Sequence, residues 1–194
     1  MRIDRTPPTI TGTRAPGPNQ HGWNNTDVVV SFTCGDLLSG VAGCGATPQV
    51  VSTEGLGQWR SAEAVDLAGN TATATVGGIN IDKTPPVIAG LPAQCALWPP
   101  NHQLVVVGTA TVTDALSGLE PGTFAVTGTS SEPVNGPGDG NTSPDVVIKG
   151  TTISLRSERA GGGGGRVYTL GGSAQDLAGN VANAAATCSV IRAR

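Results

Sequence analysis

Aspartate recurs in this sequence where several carboxylates could act together. Asp4, Asp36 and Asp66 stand in IDRTPP, DLLSG and DLAGN; Asp82, Asp114 and Asp176 stand in IDKTPP, DALSG and DLAGN. Carboxylates drawn from separate loops, joined by the side chain of Asn70 or Asn180 and by loop carbonyls, approach the six to eight oxygens that Ca²⁺ takes. The other chemistry open to such an Asp is local, because its oxygens can accept the backbone N–H groups of its own turn. D-x-x-S-G and D-x-A-G-N are good turn sequences without any metal. Turn capping is therefore the favoured reading, and Ca²⁺ the sharper alternative.

Other catalytic constellations are missing. His21 and His102 are the only histidines and lie far apart, with no H-E-x-x-H or other close metal spacing. GGSAQ at Gly171 to Gln175 lacks the closing glycine of a nucleophile elbow. The glycine run Gly161 to Gly165 has no following Lys-Ser/Thr and reads as the tip between SLRSER and RVYTL strands rather than a phosphate loop. Glu132 and Glu158 are carboxylates that could serve as an acid–base pair, but nothing in the sequence pairs them. We expect no enzyme. Only 13% of residues are charged, the net charge is −3, and no basic patch with interleaved aromatics favours nucleic acid. No apolar run reaches the roughly 18 residues of a membrane helix. The N-terminus does not read as a signal peptide, so a secreted protein would need its signal outside these 194 residues.

The elements that must position these residues are strands. The 29 glycines and 14 prolines exclude long helices, while runs of Val and Thr between them suit strands joined by turns. DVVVSFT (Asp27 to Thr33) and LVVVGTATVT (Leu104 to Thr113) lead into the D-x-L-S-G turns. Ala62 to Val65 and Gly172 to Gln175 lead into DLAGN, and Thr71 to Val76 and Val181 to Val190 lead out, which makes each DLAGN a hairpin. The first two motifs recur 78 positions apart and the third 110 positions apart. Two homologous domains follow, 1–82 and 83–194, the second carrying an insertion of about 32 residues within 120–165. With aromatics at only 3%, Trp23, Trp59 and Trp98 are expected in a core or packed between modules rather than as a sugar platform. PVNGPGDGNTSP (Pro133 to Pro144) reads as a loop of the insertion and a candidate binding loop, and the sequons at Asn24 and Asn141 fit surface loops.

Three motifs in matching order, D-x-T-P-P, D-x-x-S-G and D-x-A-G-N, make both halves resemble the bacterial immunoglobulin-like repeats (Big/HYR type) of secreted and cell-surface proteins. The resemblance spans nearly the whole chain; the enlarged second half, PPNH at Pro99 to His102 and the five-glycine run depart from it. It implies an all-β fold of two tandem Ig-like β-sandwiches joined by a short Pro-Pro linker. Pro7-Pro8 and Pro85-Pro86 would stiffen the chain entering each sandwich. A linker motif at residue 3 raises the expectation of a preceding module, and the absence of another after SVIRAR that of a last pair of modules. In such a sandwich the chain entry, the B–C loop and the F–G hairpin share one end. Asp4, Asp36 and Asp66 would then converge, and likewise Asp82, Asp114 and Asp176.

Four cysteines allow three connectivities. Cys34 and Cys44 flank the DLLSG turn and suit a local bridge. Cys95 and Cys188 fall in the first segment and last strand of the second half, which often lie side by side in Ig-like sandwiches. Without a C-x-x-C pair, zinc is the weaker reading, and disulfides point to an extracellular setting. The function expected is a non-catalytic structural or adhesive module, a spacer, stalk or fibre subunit of a bacterial surface protein, whose partners are neighbouring modules or identical subunits. The alternative is a ligand-binding accessory module that recognises polysaccharide or a partner protein through the insertion.

Overall fold

The structure is a computed structural model and describes residues 3–162 and 164–191. Among these residues there are fifteen strands and no helix. The chain divides into two compact units, one running to Thr84 together with Leu177–Gly179, the other Pro85–Asp176 with Asn180 onward.

Unit 1 contains β1 (Thr9–Ala15), β2 (Val28–Gly35), β3 (Val41–Cys44), β4 (Gln49–Val51), β5 (Gly55–Asp66) and β6 (Thr71–Ile81). They form two antiparallel sheets, β1-β2-β4 and β3-β5-β6, the A-B-E and C-F-G split of an Ig-type sandwich. Alternation decides which residues meet between the sheets. In β2, Val28, Val30 and Phe32 are buried while the residues between them face out. They pack with Val51 of the same sheet and with Ala62, Ile79 and Ile81 of the other. Each fully buried Val or Ile contributes about 1.5–3 kcal/mol relative to exposure. The sheets close tightly at Gly12, where a Cβ would stand 2.4 Å from Val76 Cγ2 and 2.9 Å from the Phe32 ring.

Unit 2 contains β7 (Val87–Ala89), β8 (Cys95–Leu97), β9 (Leu104–Thr109), β10 (Thr111–Thr113), β11 (Ala125–Ser130), β12 (Val146–Lys149), β13 (Thr152–Arg156), β14 (Arg166–Gln175) and β15 (Val181–Val190). One sheet runs β11-β14-β15-β8, with β8 parallel to β15; the facing strands form β12-β13-β9 and β10-β7. Its core is Leu97, Ile153, Leu155, Tyr168, Leu170, Cys188 and Val190. The single strand expected over Leu104 to Thr113 breaks at Ala110. Before the break the chain pairs with β13 and after it with β7, and Ala110 N–H turns to Thr151 O at 2.9 Å. The crossing brings backbones so close that a Cβ on Gly90 would lie 2.0 Å from Thr109 O. The enlargement adds β12 outside β13, where β4 of unit 1 has no such neighbour, and the long segments 131–145 and 157–162.

Each unit holds one disulfide. Cys34 is bonded to Cys44, and Cys95 to Cys188, its register partner in the parallel β8–β15 pair. Of the three tryptophans expected to pack, Trp23 is buried, but Trp59 and Trp98 are more than half exposed. Alternation explains Trp59, which is out of phase along β5 with the core positions Ala62 and Ala64.

Candidate functional site

The carboxylates of unit 1 meet at one end of its sandwich. One oxygen each of Asp4, Asp36 and Asp66 lies within 4.8 Å of the others. Asp4 arrives on the chain entering β1, Asp36 follows β2, and Asp66 ends β5. Each also serves its own turn. Asp36 Oδ1 accepts the N–H groups of Leu38, Ser39 and Gly40 at 3.1, 2.8 and 2.7 Å. Asp66 Oδ1 accepts those of Ala68 and Asn70 at 2.9 and 2.7 Å. Asp4 Oδ1 accepts Thr6 N–H, and Asp4 Oδ2 reaches across to Ser39 N–H at 3.0 Å. Gly40 and Gly69 close these turns at φ of 87° and 90°, which only glycine adopts without strain. Capping and convergence are therefore one arrangement.

Its electrostatics favour ionised carboxylates that repel one another. The Thr6 N–H bond, with help from Ser39, holds Asp4 below the usual carboxylate range, while the charge of Asp66 works the other way. Burial would raise Asp66, but the bonds from Asn70 and the following N–H groups outweigh it and hold it low. Three hard carboxylate oxygens fit Ca²⁺ in type and charge and supply three of its six to eight ligands. Asn70 joins the cluster through its amide. Its Nδ2 donates to Asp66 Oδ2 at 2.7 Å and leans toward the Asp4 and Thr6 carbonyls, so it braces the cluster. Leu37, Leu38 and Leu67 stand exposed beside the cluster around an open cleft of about 660 Å³.

In unit 2 the same motifs repeat the turn chemistry. Asp114 Oδ1 accepts Leu116 and Gly118 N–H at 3.2 and 2.6 Å. Asp176 accepts Asn180 N–H at 2.8 Å and Asn180 Nδ2 at 2.7 Å, so Asn180 too is a donor to its Asp. Oxygens of Asp114 and Asp176 lie within 4.8 Å of each other. Asp82 follows β6 in unit 1, is buried, and accepts Thr84 N–H at 3.0 Å.

A second ionic centre lies inside unit 2, and most of it went unread in the sequence. Arg166 occupies an inward position of β14, in the alternating series with Tyr168 and Leu170, and is fully buried. Four carboxylates surround it. Nε bonds Glu132 at 3.4 Å, Nη1 bonds Asp145, Nη2 bonds Asp139 at 3.3 Å, and Glu158 Oε1 stands 3.8 Å from Nη2. The two glutamates named from sequence are thus brought to one arginine, not set as an acid–base pair across an open cleft. Glu158 Oε2 also meets the Thr142 hydroxyl and, at 3.2 Å, His102 Nδ1. Burial opposes the charge of Asp139, but N–H bonds from Gly136 and Asn141 and the Arg166 charge hold its carboxyl low. Burial would also discharge Arg166, yet Tyr168 and Asp145 push its pKa up, and burial drives the Tyr168 phenol to about 12. The signal in the sequence was an arginine where strand alternation demands an apolar residue, followed by a search for acids to pair it. The candidate binding loop at 133–144 is tied down by this centre, through Pro133 O and Asp139 on Arg166.

No family model matches the chain, and no curated protein does. Among solved structures it is similar to the protocadherin gamma B2 extracellular cadherin domains 1–5, at 12% identity and a TM-score of 0.47. The match takes in 97% of this chain and spans 40% of the length of that one. Among the described residues, no helix is long and apolar enough to cross a membrane.

Proposed function

We propose that the chain is a non-catalytic, extracellular tandem module of the bacterial Ig-like repeat type, which spaces or presents other parts of a surface protein. One observation carries this reading: the same three-motif frame occurs twice, each time on an Ig-type strand order closed by its own disulfide. The clustered ionisable groups described above are engaged in capping turns and pairing a buried arginine, which supports a structural role. Its partners are neighbouring modules or identical subunits.

A second reading, a polysaccharide-binding accessory module, draws on Trp59, which is exposed beside Gln49 and Arg60 at a shallow cleft of about 420 Å³. A glycan array probed with the whole chain separates the two. The spacer reading expects no selective retention; retention abolished by Trp59→Ala would replace it with the second.

Ca²⁺ at Asp4, Asp36 and Asp66 would relieve their mutual repulsion and rigidify the three turns they cap. The repeat extends this to Asp114 and Asp176 of the second D-x-L-S-G and D-x-A-G-N motifs. Thermal melts with millimolar Ca²⁺ and with chelator test it. We expect a rise in Tm with Ca²⁺ that Asp36→Ala lowers and that Asp114→Ala and Asp176→Ala lower further. Identical midpoints in Ca²⁺ and chelator would leave turn capping as the whole account.

A further inference from the structure

The Arg166 centre holds more negative charge than it can pair. A guanidinium has five N–H donors, and all are spent: Nε on Glu132, Nη1 on Asp145 and the Tyr168 oxygen, Nη2 on Pro133 O and Asp139. Glu132 is further satisfied by Ala160 N–H at 2.7 Å, and Asp139 by the N–H groups of Gly136 and Asn141. What remains is one oxygen on each of the other two acids. Asp145 Oδ1 and Glu158 Oε1 are buried and receive no hydrogen bond. The residues themselves are 2% and 0% exposed.

The neighbours cannot fill the gap. His102 and Thr142 address the other oxygen of Glu158. Arg156 on β13 gives its guanidinium to Pro144 O and His102 O, Tyr168 gives its hydroxyl to Arg156 O, and Arg159 gives Nη1 to Ala160 O while its buried Nε bonds neither oxygen. Two buried carboxylate oxygens without donors destabilise the fold if both groups stay charged. A single proton between them satisfies both and removes one charge.

We propose that Asp145 and Glu158 share one proton, and that this proton latches the inserted segments of unit 2 onto Arg166. The segments concerned are those that carry the acids: 131–145 brings Glu132, Asp139 and Asp145, and 157–162 brings Glu158. The carboxyl of Asp145 is held above the usual range, first by burial and also by the neighbouring Glu158 carboxyl, against the pull of Arg166. A proton bound more tightly in the folded state stabilises it fully below the ordinary carboxylate range. That contribution is lost as pH rises through the raised folded value. The insertion is therefore latched in acid and released toward higher pH.

Two measurements on the whole chain test this. Carboxyl-carbon NMR of the wild-type protein should show Asp145 and Glu158 titrating as a coupled pair, one member still protonated above the ordinary carboxylate range. Amide exchange of residues 134–145, corrected for intrinsic rate, should quicken by up to about tenfold for each pH unit between the ordinary carboxylate range and the raised folded value, and level off above it. In Asp145→Asn or Glu158→Gln an amide NH₂ replaces the shared proton, and the pH dependence should flatten. If both carboxyls titrate in the ordinary range, a water or ion rather than a proton fills the gap and the proposal fails. It fails equally if either folded variant keeps the wild-type pH dependence. If neither variant folds, the wild-type titration decides.

Discussion

At the scale of single residues, this chain places two kinds of side chain where size or charge leaves little choice. Gly12 is the first. Its missing Cβ is what lets Val76 and Phe32 close over β1, so Gly12→Ala overpacks the sheet interface of unit 1. We expect a loss of about 1–3 kcal/mol, read as a lower urea midpoint at unchanged slope and partly restored by adding Val76→Ala. A normal midpoint for Gly12→Ala alone would show that the interface is looser than the Val76 and Phe32 contacts imply. Arg166 is the second kind, a charge at a core position that recruits its acids from the inserted segments. The aspartates of the turn motifs are the milder case, since each is satisfied mostly by backbone within four residues of itself.

At the scale of elements, legibility followed locality. The hairpins around DLAGN and the strand Val28–Gly35 could be read because alternation and turn residues are written in consecutive positions. Both disulfides followed from where the cysteines fall in that strand order. The break at Ala110 could not be read, since LVVVGTATVT is a good strand throughout and only the choice of partner changes along it. Strand β12 was hidden in the insertion for a related reason: its edge place depends on β13, not on its own four residues. The candidate site divides the same way. Asp4, Asp36 and Asp66 were findable from repeated motifs, whereas Asp139 and Asp145 make sense only once Arg166 is known to point inward. Asn70 and Asn180 were found as positions, but the sequence does not say which end of an amide faces the carboxylate, and each turns its Nδ2 to its own Asp.

At the scale of the whole molecule, the bond between Cys95 and Cys188 bears on how the protein responds to tension. It joins β8, an edge strand near the start of unit 2, to the last strand β15 and spans 93 positions of sequence. A pull on the two ends of the chain therefore reaches this covalent crossbar before it reaches the core of unit 2. At about 3.4 Å per extended residue, roughly 320 Å of contour length is held out of reach. The bond in unit 1 encloses only 10 positions and withholds correspondingly little. Stretched singly in an optical trap, the oxidised protein should lengthen by little more than unit 1 and the linker, and a reductant should unlock an additional step of about 300 Å. A full-length extension without reductant would mean that the crossbar does not carry the load. Used as a spacer, such a protein would be compliant in one half and nearly inextensible in the other.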